Sequence, residues 1–354
     1  MQDLRTLVTH PNPTLPVRLV RIVLRVLSWP YQCVVFIRNL LFDLGVWKSF
    51  QSPLPVICVG NLSVGGTGKT PTVIWIAKWL REQDKRVAIL SRGYGQLDSG
   101  QNDEALELEM RLPDVPHLQN ADRVKSARLA HEELEMQVLL LDDGFQHRRL
   151  ARTLDIVLVD ATDSAAAQRV LPAGLFREPF SSLQRAHAAI ITRTNLAARE
   201  NVERIESRIR QANASLPVIR ATHVPCDLWS FPNTSIDLQY LQGKRLLAFC
   251  GIGNPQSFFQ LCQDLGGHII DRMIWPDHHP YSAGDVQRMQ SWALAHQADC
   301  VVCTVKDLVK LQTAVLGTTP LKAIAVDIQI EAGQEELEGL LRNVTLFRSY
   351  PNKN

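Results

Sequence analysis

The hydrophobic positions of this chain fall into short, unbroken apolar runs separated by stretches of helical spacing. Leu54, Val56, Ile57, Cys58 and Val59 lie in the first run, which is followed by a glycine-rich turn and a helical stretch over 72–80. Further runs lie within 86–91, 137–142, 155–160 and 188–192, with a charged amphipathic helix expected over 122–135 and a polar loop over 96–105. Runs of this length, bounded by turn residues, read as strands buried on both faces. Strands alternating with helices predict a parallel sheet with helices on both sides. Around 216–242 the pattern becomes irregular, with Pro217, Pro225 and Pro232, and reads as a connector. A second α/β unit is then expected, with strands at 245–250, 269–274 and 300–304 and helices at 255–265 and 284–296. The expected division is therefore N-terminal helices over 1–50, a core over 51–215, a connector over 216–243 and a smaller α/β domain over 244–354.

The N-terminal pattern differs from the rest. Apolar residues fill 15–29 around Arg18, Arg21 and Arg25, whose spacing of three and four places them on one helical stripe. Pro30 is expected to end that helix, and 31–42 begins another apolar stretch carrying only Arg38. A basic, greasy helix of this kind lies in the plane of an anionic bilayer. The alternative is a helix packed on the domain with its arginines outward. No cleavable signal peptide and no uninterrupted apolar run of spanning length is visible.

Composition narrows the class without fixing the function. With 354 residues, 45% hydrophobic, the chain can build two α/β units, and a formal charge of +2 argues against a nucleic-acid partner. Seven cysteines form no disulfide-like framework, and several sit in apolar runs, as expected of reduced core residues. Cys300 and Cys303 have the spacing of half a zinc site but read as buried strand.

The candidate chemistry starts where the first apolar run ends, in Gly60-Asn61-Leu62-Ser63-Val64-Gly65-Gly66-Thr67-Gly68-Lys69-Thr70-Pro71. A strand, a glycine-rich turn and then Gly-Lys-Thr make a phosphate-binding loop, in which backbone N–H groups and a helix N-terminus face the anion. Ser63, Val64, Gly65, Gly66, Thr67, Gly68, Lys69 and Thr70 are the expected nucleotide-binding residues. Lys69 would reach the β- and γ-phosphates and the Thr70 hydroxyl would ligate Mg²⁺. Ser63 stands where the pattern has glycine. Asp142 and Asp143, closing the strand over 137–142, suit a Mg²⁺-organising role, with Asp160 as a rival. Asp277 and His278, in a proline-flanked loop, suit proton handling near neutral pH. Arg177, in the conspicuous 171–179 loop, could neutralise phosphate charge. Thr304, Lys306 and Asp307 resemble the Thr-Lys-x-Asp type of base-reading loop, although helix capping by Asp307 is an equal reading.

Six blocks in order then identify the chain as similar to a known family. They are 60–71, Leu90-Ser91-Arg92-Gly93-Tyr94, Asp142-Asp143-Gly144-Phe145-Gln146-His147, 171–179, Pro276-Asp277-His278 and Thr304 to Asp307. Together they resemble the tetraacyldisaccharide 4′-kinases, the lipid A 4′-kinases of Gram-negative bacteria. The resemblance implies a P-loop NTPase-type α/β/α sandwich with a second, smaller α/β domain and an N-terminal membrane-associating helix. It implies transfer of phosphate from ATP, with Mg²⁺, to the 4′-hydroxyl of the lipid A disaccharide precursor. The partners implied are that lipid and an anionic inner-membrane surface at its cytoplasmic face, with the chain acting as a monomer. The family's catalytic Asp segment corresponds to Asn102-Asp103-Glu104-Ala105, which makes Asp103 the candidate base, paired with His278, and Glu104 its neighbour near the metal. Asp142, Asp143 and Gln146 would organise Mg²⁺, and Arg177 would face the transferring phosphate. Other readings are a P-loop switch ATPase or metallochaperone, against which Val64 occupies the position of the partitioning type's signature lysine, and a soluble small-metabolite kinase.

Overall fold

The computed structural model describes residues 7–9, 14–93 and 103–346. It opens on α1 (Leu15–Asp43), followed by β1 (Val56–Asn61), α2 (Lys69–Glu82), β2 (Val87–Ser91), α3 (Asp103–Arg111), β3 (His117–Gln119), α4 (Arg123–Glu132), β4 (Val138–Asp142), β5 (Leu154–Asp160) and β6 (Ala188–Thr192). Next come α5 (Arg199–Ala212), β7 (Val218–Ser230), β8 (Thr234–Ile236), β9 (Arg245–Cys250), α6 (Pro255–Asp264) and β10 (His268–Ile274). The chain continues through α7 (Ala283–His296), β11 (Cys300–Thr304), α8 (Val305–Leu311), β12 (Val315–Leu316), β13 (Thr319–Ala332) and α9 (Gln334–Thr345).

Compactness divides the chain into two units that do not follow the linear order. The larger holds Met1–Arg92, Val115–His223 and Ile328–Asn354, and the smaller holds Gly93–Asp114 and Val224–Asp327. This differs from the division expected from the pattern: the segment that carries Asp103 belongs to the smaller unit, and the C-terminal helix α9 belongs to the larger.

In the larger unit the strands run in the order β7-β6-β5-β1-β4-β2-β3, and the pairs are parallel. Every residue of β1, β2, β4, β5 and β6 is buried, so both faces of this sheet are covered. On one face Val56, Cys58, Leu139 and Leu141 pack with Ala127 and Ala130 of α4. Near β5 and β6, Val157, Val159 and Ile191 pack with Val202, Ile205 and Ile209 of α5. The smaller unit has a parallel order β10-β9-β11-β13, with β12 antiparallel to β13 and β8 antiparallel to residues 228–230 of β7. Cys300 and Cys303 lie fully buried in β11, as the strand reading expects.

Two expectations change. Residues 216–243 are largely strand rather than connector. Pro217 precedes β7, Pro232 sits in the turn to β8, and Pro225 falls between the stretch of β7 bonded to β6 and the stretch bonded to β8, so no proline interrupts those ladders. Pro30 does not end the first helix, because α1 runs unbroken through it. An exposed proline inside a helix removes one ladder bond, and the apolar turns on either side continue past it.

α1 is amphipathic in an unusual sense. Its inward face carries polar groups: Tyr31 donates to the Arg177 carbonyl at 3.2 Å, and Arg38 and Asn39 donate to Glu178 at 3.1 and 2.8 Å. Glu178 is wholly buried and also takes Arg185 at 2.9 Å. Burial pushes its carboxyl up, but Arg185, Asn39 and Arg38 outweigh that and hold it below the ordinary value. The outward face is apolar, with Trp29 75% and Val26 65% exposed beside Leu19, Ile22, Val23 and Leu27. The arginine stripe lies at the border. Arg18 and Arg25 are exposed, whereas Arg21 is half-buried and its Nε donates to the Leu7 carbonyl at 2.9 Å.

Candidate functional site

In the larger unit the glycine-rich loop leaves β1 and delivers Lys69 as the first residue of α2. Gly60 is required by contact, since a Cβ there would lie 2.6 Å from Cβ of Phe145. Gly65 and Gly68 are required by conformation, with φ of +121° and +88°. Ser63 needs no glycine: its φ is not positive, and it forms a bridge to Phe176. That bridge belongs to a strap. The Val64 N–H donates to the Leu175 carbonyl at 2.7 Å and the Arg177 N–H donates to the Leu62 carbonyl at 2.6 Å. The 171–179 loop is therefore bonded along the phosphate loop, which accounts for its prominence in the sequence and sets Arg177 beside it.

The strap brings four of the expected residues into one cluster. Lys69 Nζ lies 3.7 Å from Asp143 Oδ1, and Arg177 Nη1 donates to Asp143 Oδ2 at 3.0 Å. Gln146 accepts from Arg177 at 3.3 Å through Oε1 and donates from Nε2 to the Asn61 carbonyl at 3.0 Å. Both ends of its amide are thus occupied in orienting Arg177 against the end of β1. Burial pushes the Asp143 carboxyl up, but Lys69 and Arg177 beside it prevail and hold it below its ordinary value. Its backbone is left-handed, φ 49°, a conformation non-glycine residues adopt mainly where surrounding structure holds it. Asp142 is buried at the tip of β4, and Thr70 is buried in the first turn of α2. Asp160, the rival acid, is engaged by the Thr162 N–H at 2.9 Å and by Arg193.

The loop is shaped for an anion with its metal. Nothing lies within 4 Å of a Cβ built on Gly65 or Gly66, so the turn is open on that side. The Thr67 hydroxyl and both amide atoms of Asn61 are buried without a protein partner. Orphaned polar atoms at a strand-to-helix turn fit phosphate oxygens and the water shell of Mg²⁺, an ion that takes one or two carboxylates and keeps its other positions for phosphate and water. Arg123, at the start of α4, was not singled out by the sequence pattern. It is buried and close enough to Asp142 and Asp143 to interact with both. The missed signal was the cap: Asp122 accepts the Val124 N–H at 3.1 Å and starts a helix whose first residue is a buried cation.

In the smaller unit Asp103 and His278 meet although they are 175 positions apart, with His278 Nδ1 at 2.8 Å from Asp103 Oδ2. Asp103 opens α3, where its other oxygen accepts the Glu104 N–H at 3.1 Å, and Lys310 lies 3.7 Å away. His278 has a left-handed backbone, φ 58°, and its N–H donates to the Gly251 carbonyl at 3.1 Å. Its ring is half exposed, with Nε2 3.9 Å from Asp277. The Asp103 hydrogen bond raises the imidazole pKa against the opposing effect of burial. Asp103 moves the other way. Burial pushes its carboxyl up, but His278, Lys306 and Lys310 outweigh that and hold it well below the carboxylate range. Glu104 accepts from Lys306 at 3.1 Å, so the expected metal ligand carries a lysine partner of its own.

Asp307 is fully buried and caps α8. It accepts from the Thr304 hydroxyl at 2.6 Å, the Tyr281 hydroxyl at 2.8 Å and the Gly251 N–H at 3.2 Å. Of its two readings, capping is the one this geometry supports, and its oxygens are spent on the protein. Tyr94 and Asn102, from the blocks that carry the resemblance, lie outside the described residues.

The family model for LpxK, tetraacyldisaccharide-1-P 4′-kinase, matches residues 20–345. The chain belongs to this family. The tetraacyldisaccharide 4′-kinase of Syntrophus aciditrophicus is 34% identical over 346 residues, covering 90% of this chain and 92% of that protein. That of Geobacter metallireducens is 37% identical over 312 residues, covering 83% and 89%. A crystal structure of LpxK from Aquifex aeolicus in complex with ATP superposes with a TM-score of 0.74 at 31% identity, covering 92% of this chain and 99% of that one. Membership of the 4′-kinase family disfavours both the switch ATPase and the soluble small-metabolite kinase.

Proposed function

We propose that this chain transfers the γ-phosphate of ATP to the 4′-hydroxyl of the tetraacyldisaccharide 1-phosphate precursor, yielding lipid IVA in lipid A biosynthesis. The observation that carries the proposal is a strapped phosphate loop whose lysine, acid and arginine form one cluster, in a chain of the 4′-kinase family. Phosphoryl transfer needs positioning, neutralisation of the γ-phosphate and modest help in removing the hydroxyl proton. Lys69 and Arg177 supply fixed positive charge, each on an element whose backbone is hydrogen-bonded in place. Thr70, Asp142 and Asp143 would hold Mg²⁺, which, when bound, neutralises oxygens of the β- and γ-phosphates. Asp103 holds Nδ1 of His278 and leaves Nε2 as the nitrogen that takes the hydroxyl proton, an acid-oriented imidazole base. Glu104 and Lys306 set the charge around that pair. The test is transfer of labelled γ-phosphate from ATP to the disaccharide 1-phosphate in detergent, with and without Mg²⁺. Formation of the 4′-phosphorylated lipid only when metal is present supports the proposal, and ATP turnover without lipid phosphorylation overturns it.

The acceptor is a lipid, and α1 gives the chain a means of reaching it. We place the protein at the cytoplasmic face of the bacterial inner membrane as a monomer, with the exposed apolar face of α1 in the acyl region and Arg18 and Arg25 at the headgroups. At 29 residues the helix is about 43 Å long, more than the roughly 30 Å hydrocarbon thickness. Its polar inward face, keyed to Glu178, favours lying against the domain over crossing alone. Changing Val23, Val26 and Leu27 together to Asn should release the protein from anionic vesicles in co-sedimentation. Changing Arg18 and Arg25 to Glu should weaken binding at low salt by about 1 kcal/mol per residue. Wild-type sedimentation by the Asn variant would show that this face does not enter the bilayer.

A further inference from the structure

A helix that serves only to hold a protein on a lipid surface needs an apolar face outward and any fastening to its domain inward. α1 is fastened in a more exacting way. Tyr31, Arg38 and Asn39 are spaced by seven and one, so they share the helix face turned to the protein. All three direct their polar groups to two adjacent residues of the 171–179 strap: the Tyr31 hydroxyl to the Arg177 carbonyl, Arg38 and Asn39 to the Glu178 carboxylate. The same stretch of α1 also holds the segment after β4. The Asn39 carbonyl accepts from Arg148 Nη1 at 3.0 Å, Arg148 Nη2 reaches Asp43 at 2.6 Å, and the guanidinium lies 5.1 Å from the centre of the Phe42 ring.

Those two segments carry the residues that would face the transferring phosphate. Arg177 lies in the first, and its partners Asp143 and Gln146 open the second. Glu178 links the two: Arg185, which lies 2.9 Å from its carboxylate, donates to the Phe145 carbonyl at 3.3 Å with its guanidinium 3.8 Å from the centre of that ring. Phe145 is the residue against which Gly60 of the phosphate loop packs. A carboxylate with 1% exposure under two arginines and an amide is a costly way to hold a helix, since apolar groups of the same volume would hold it as firmly. What directed polar bonds add is one register, because sliding α1 by a residue turns all three side chains away from the strap.

We propose that the inward face of α1 is part of the phosphoryl-transfer machinery, with Tyr31, Arg38 and Asn39 as positioning residues that hold Arg177 at the phosphate loop. The proposal rests on the transfer reading above and gives the helix a role that docking on a lipid surface does not require. Arg177 has its side chain on Asp143 and Gln146 and its N–H on the Leu62 carbonyl. α1 supplies the remaining constraint, on the Arg177 carbonyl and on the next residue. A displacement of about 1 Å at such a group costs on the order of 100-fold in rate, so even partial release should be visible in kcat.

The test is kcat and KM for lipid phosphorylation in detergent at saturating acceptor, with Arg38→Met and Asn39→Leu made together in the wild-type and Arg177→Ala chains. Arg185 stays on Glu178, so the buried carboxylate keeps a cation and melting should remain close to wild type. The double change should lower kcat about ten-fold with KM for ATP within about two-fold, and vesicle co-sedimentation should be unchanged because the outward face is intact. In the Arg177→Ala chain it should cost less than about two-fold more, since residues that act through one group do not lose it twice. Arg38→Lys keeps a cation facing Glu178 and should stay within about two-fold of wild type. Tyr31→Phe removes only the hydroxyl on the Arg177 carbonyl and should lower kcat about three-fold, again only while Arg177 is present. It decides the matter if the double variant melts early. Wild-type kcat in the folded variants would leave α1 an anchor alone, and equal losses with and without Arg177 would show that the helix acts elsewhere; either overturns the proposal. A wild-type chain that forms no phosphorylated lipid would instead sink the kinase reading itself.

Discussion

Lys69→Ala should reduce phosphoryl transfer to about a hundredth of the wild-type rate or less while leaving the chain folded. A fixed charge that meets the transferring phosphoryl group is worth on the order of 3 kcal/mol or more when its strength is realised in the transition state. Lys69 is in place for that before any ligand binds, since its side chain is 11% exposed and its amine lies 3.7 Å from Asp143. Removing it does not strand Asp143, which keeps Arg177 at 3.0 Å, so the fold should tolerate the change. Thr70→Ala should act differently, raising the Mg²⁺ concentration needed for half-maximal rate with a smaller loss at saturation. The measurement is kcat at saturating ATP across a Mg²⁺ titration, with a thermal melt of each variant. Near-wild-type kcat in a folded Lys69→Ala protein would remove the phosphate loop from the mechanism.

What the sequence made legible follows from how local each signal is. The phosphate loop is contiguous, and its strand, turn and helix each have their own pattern, so β1, Lys69 and Thr70 could be located from a dozen residues. The same holds for Asp142 and Asp143, which close an unmistakably apolar strand. Arg177 was visible only as part of an odd loop, because what fixes it is a backbone bridge from Ser63 to Phe176, and such bonds leave no trace in residue type. β7 was hidden by Pro217 and Pro232, which flank it, and by Pro225, which falls between its stretches bonded to β6 and to β8. The unbroken α1 was hidden by Pro30, whose usual effect is overridden where the flanking turns are apolar and the ring is exposed. At 304–307 the threonine and the aspartate bond each other to cap a helix, an arrangement that residue type alone does not tell from a base-reading loop. The Asp103–His278 pairing came from the family resemblance, since neither its spacing nor its surroundings announce it.

That pair yields the most discriminating prediction. Asp103→Ala and His278→Ala should each lower kcat by about 100-fold or more with little change in KM for ATP, and the double variant should be scarcely worse than the poorer single one. Two groups that handle one proton act as a unit, so their losses do not sum. The pH profile carries the sign. The Asp103 hydrogen bond raises His278 above its ordinary value of 6.5, and the ring can take a hydroxyl proton only after losing its own. The rate should therefore rise with pH through that raised value. In Asp103→Asn the imidazole relaxes toward its ordinary pKa, so the rise should move to lower pH while its plateau falls. Stability runs on the same linkage. The raised His278 pKa contributes stability that is complete below about 6.5 and is lost as pH climbs through the folded value. The depressed Asp103 pKa contributes stability present above about 3.9 and lost as pH falls toward its folded value. Asp103→Ala should thus lower the melting temperature most near pH 5–6 and least at alkaline pH. Fully additive losses, or an unmoved pH limb in Asp103→Asn, would show that the two residues do not share the proton.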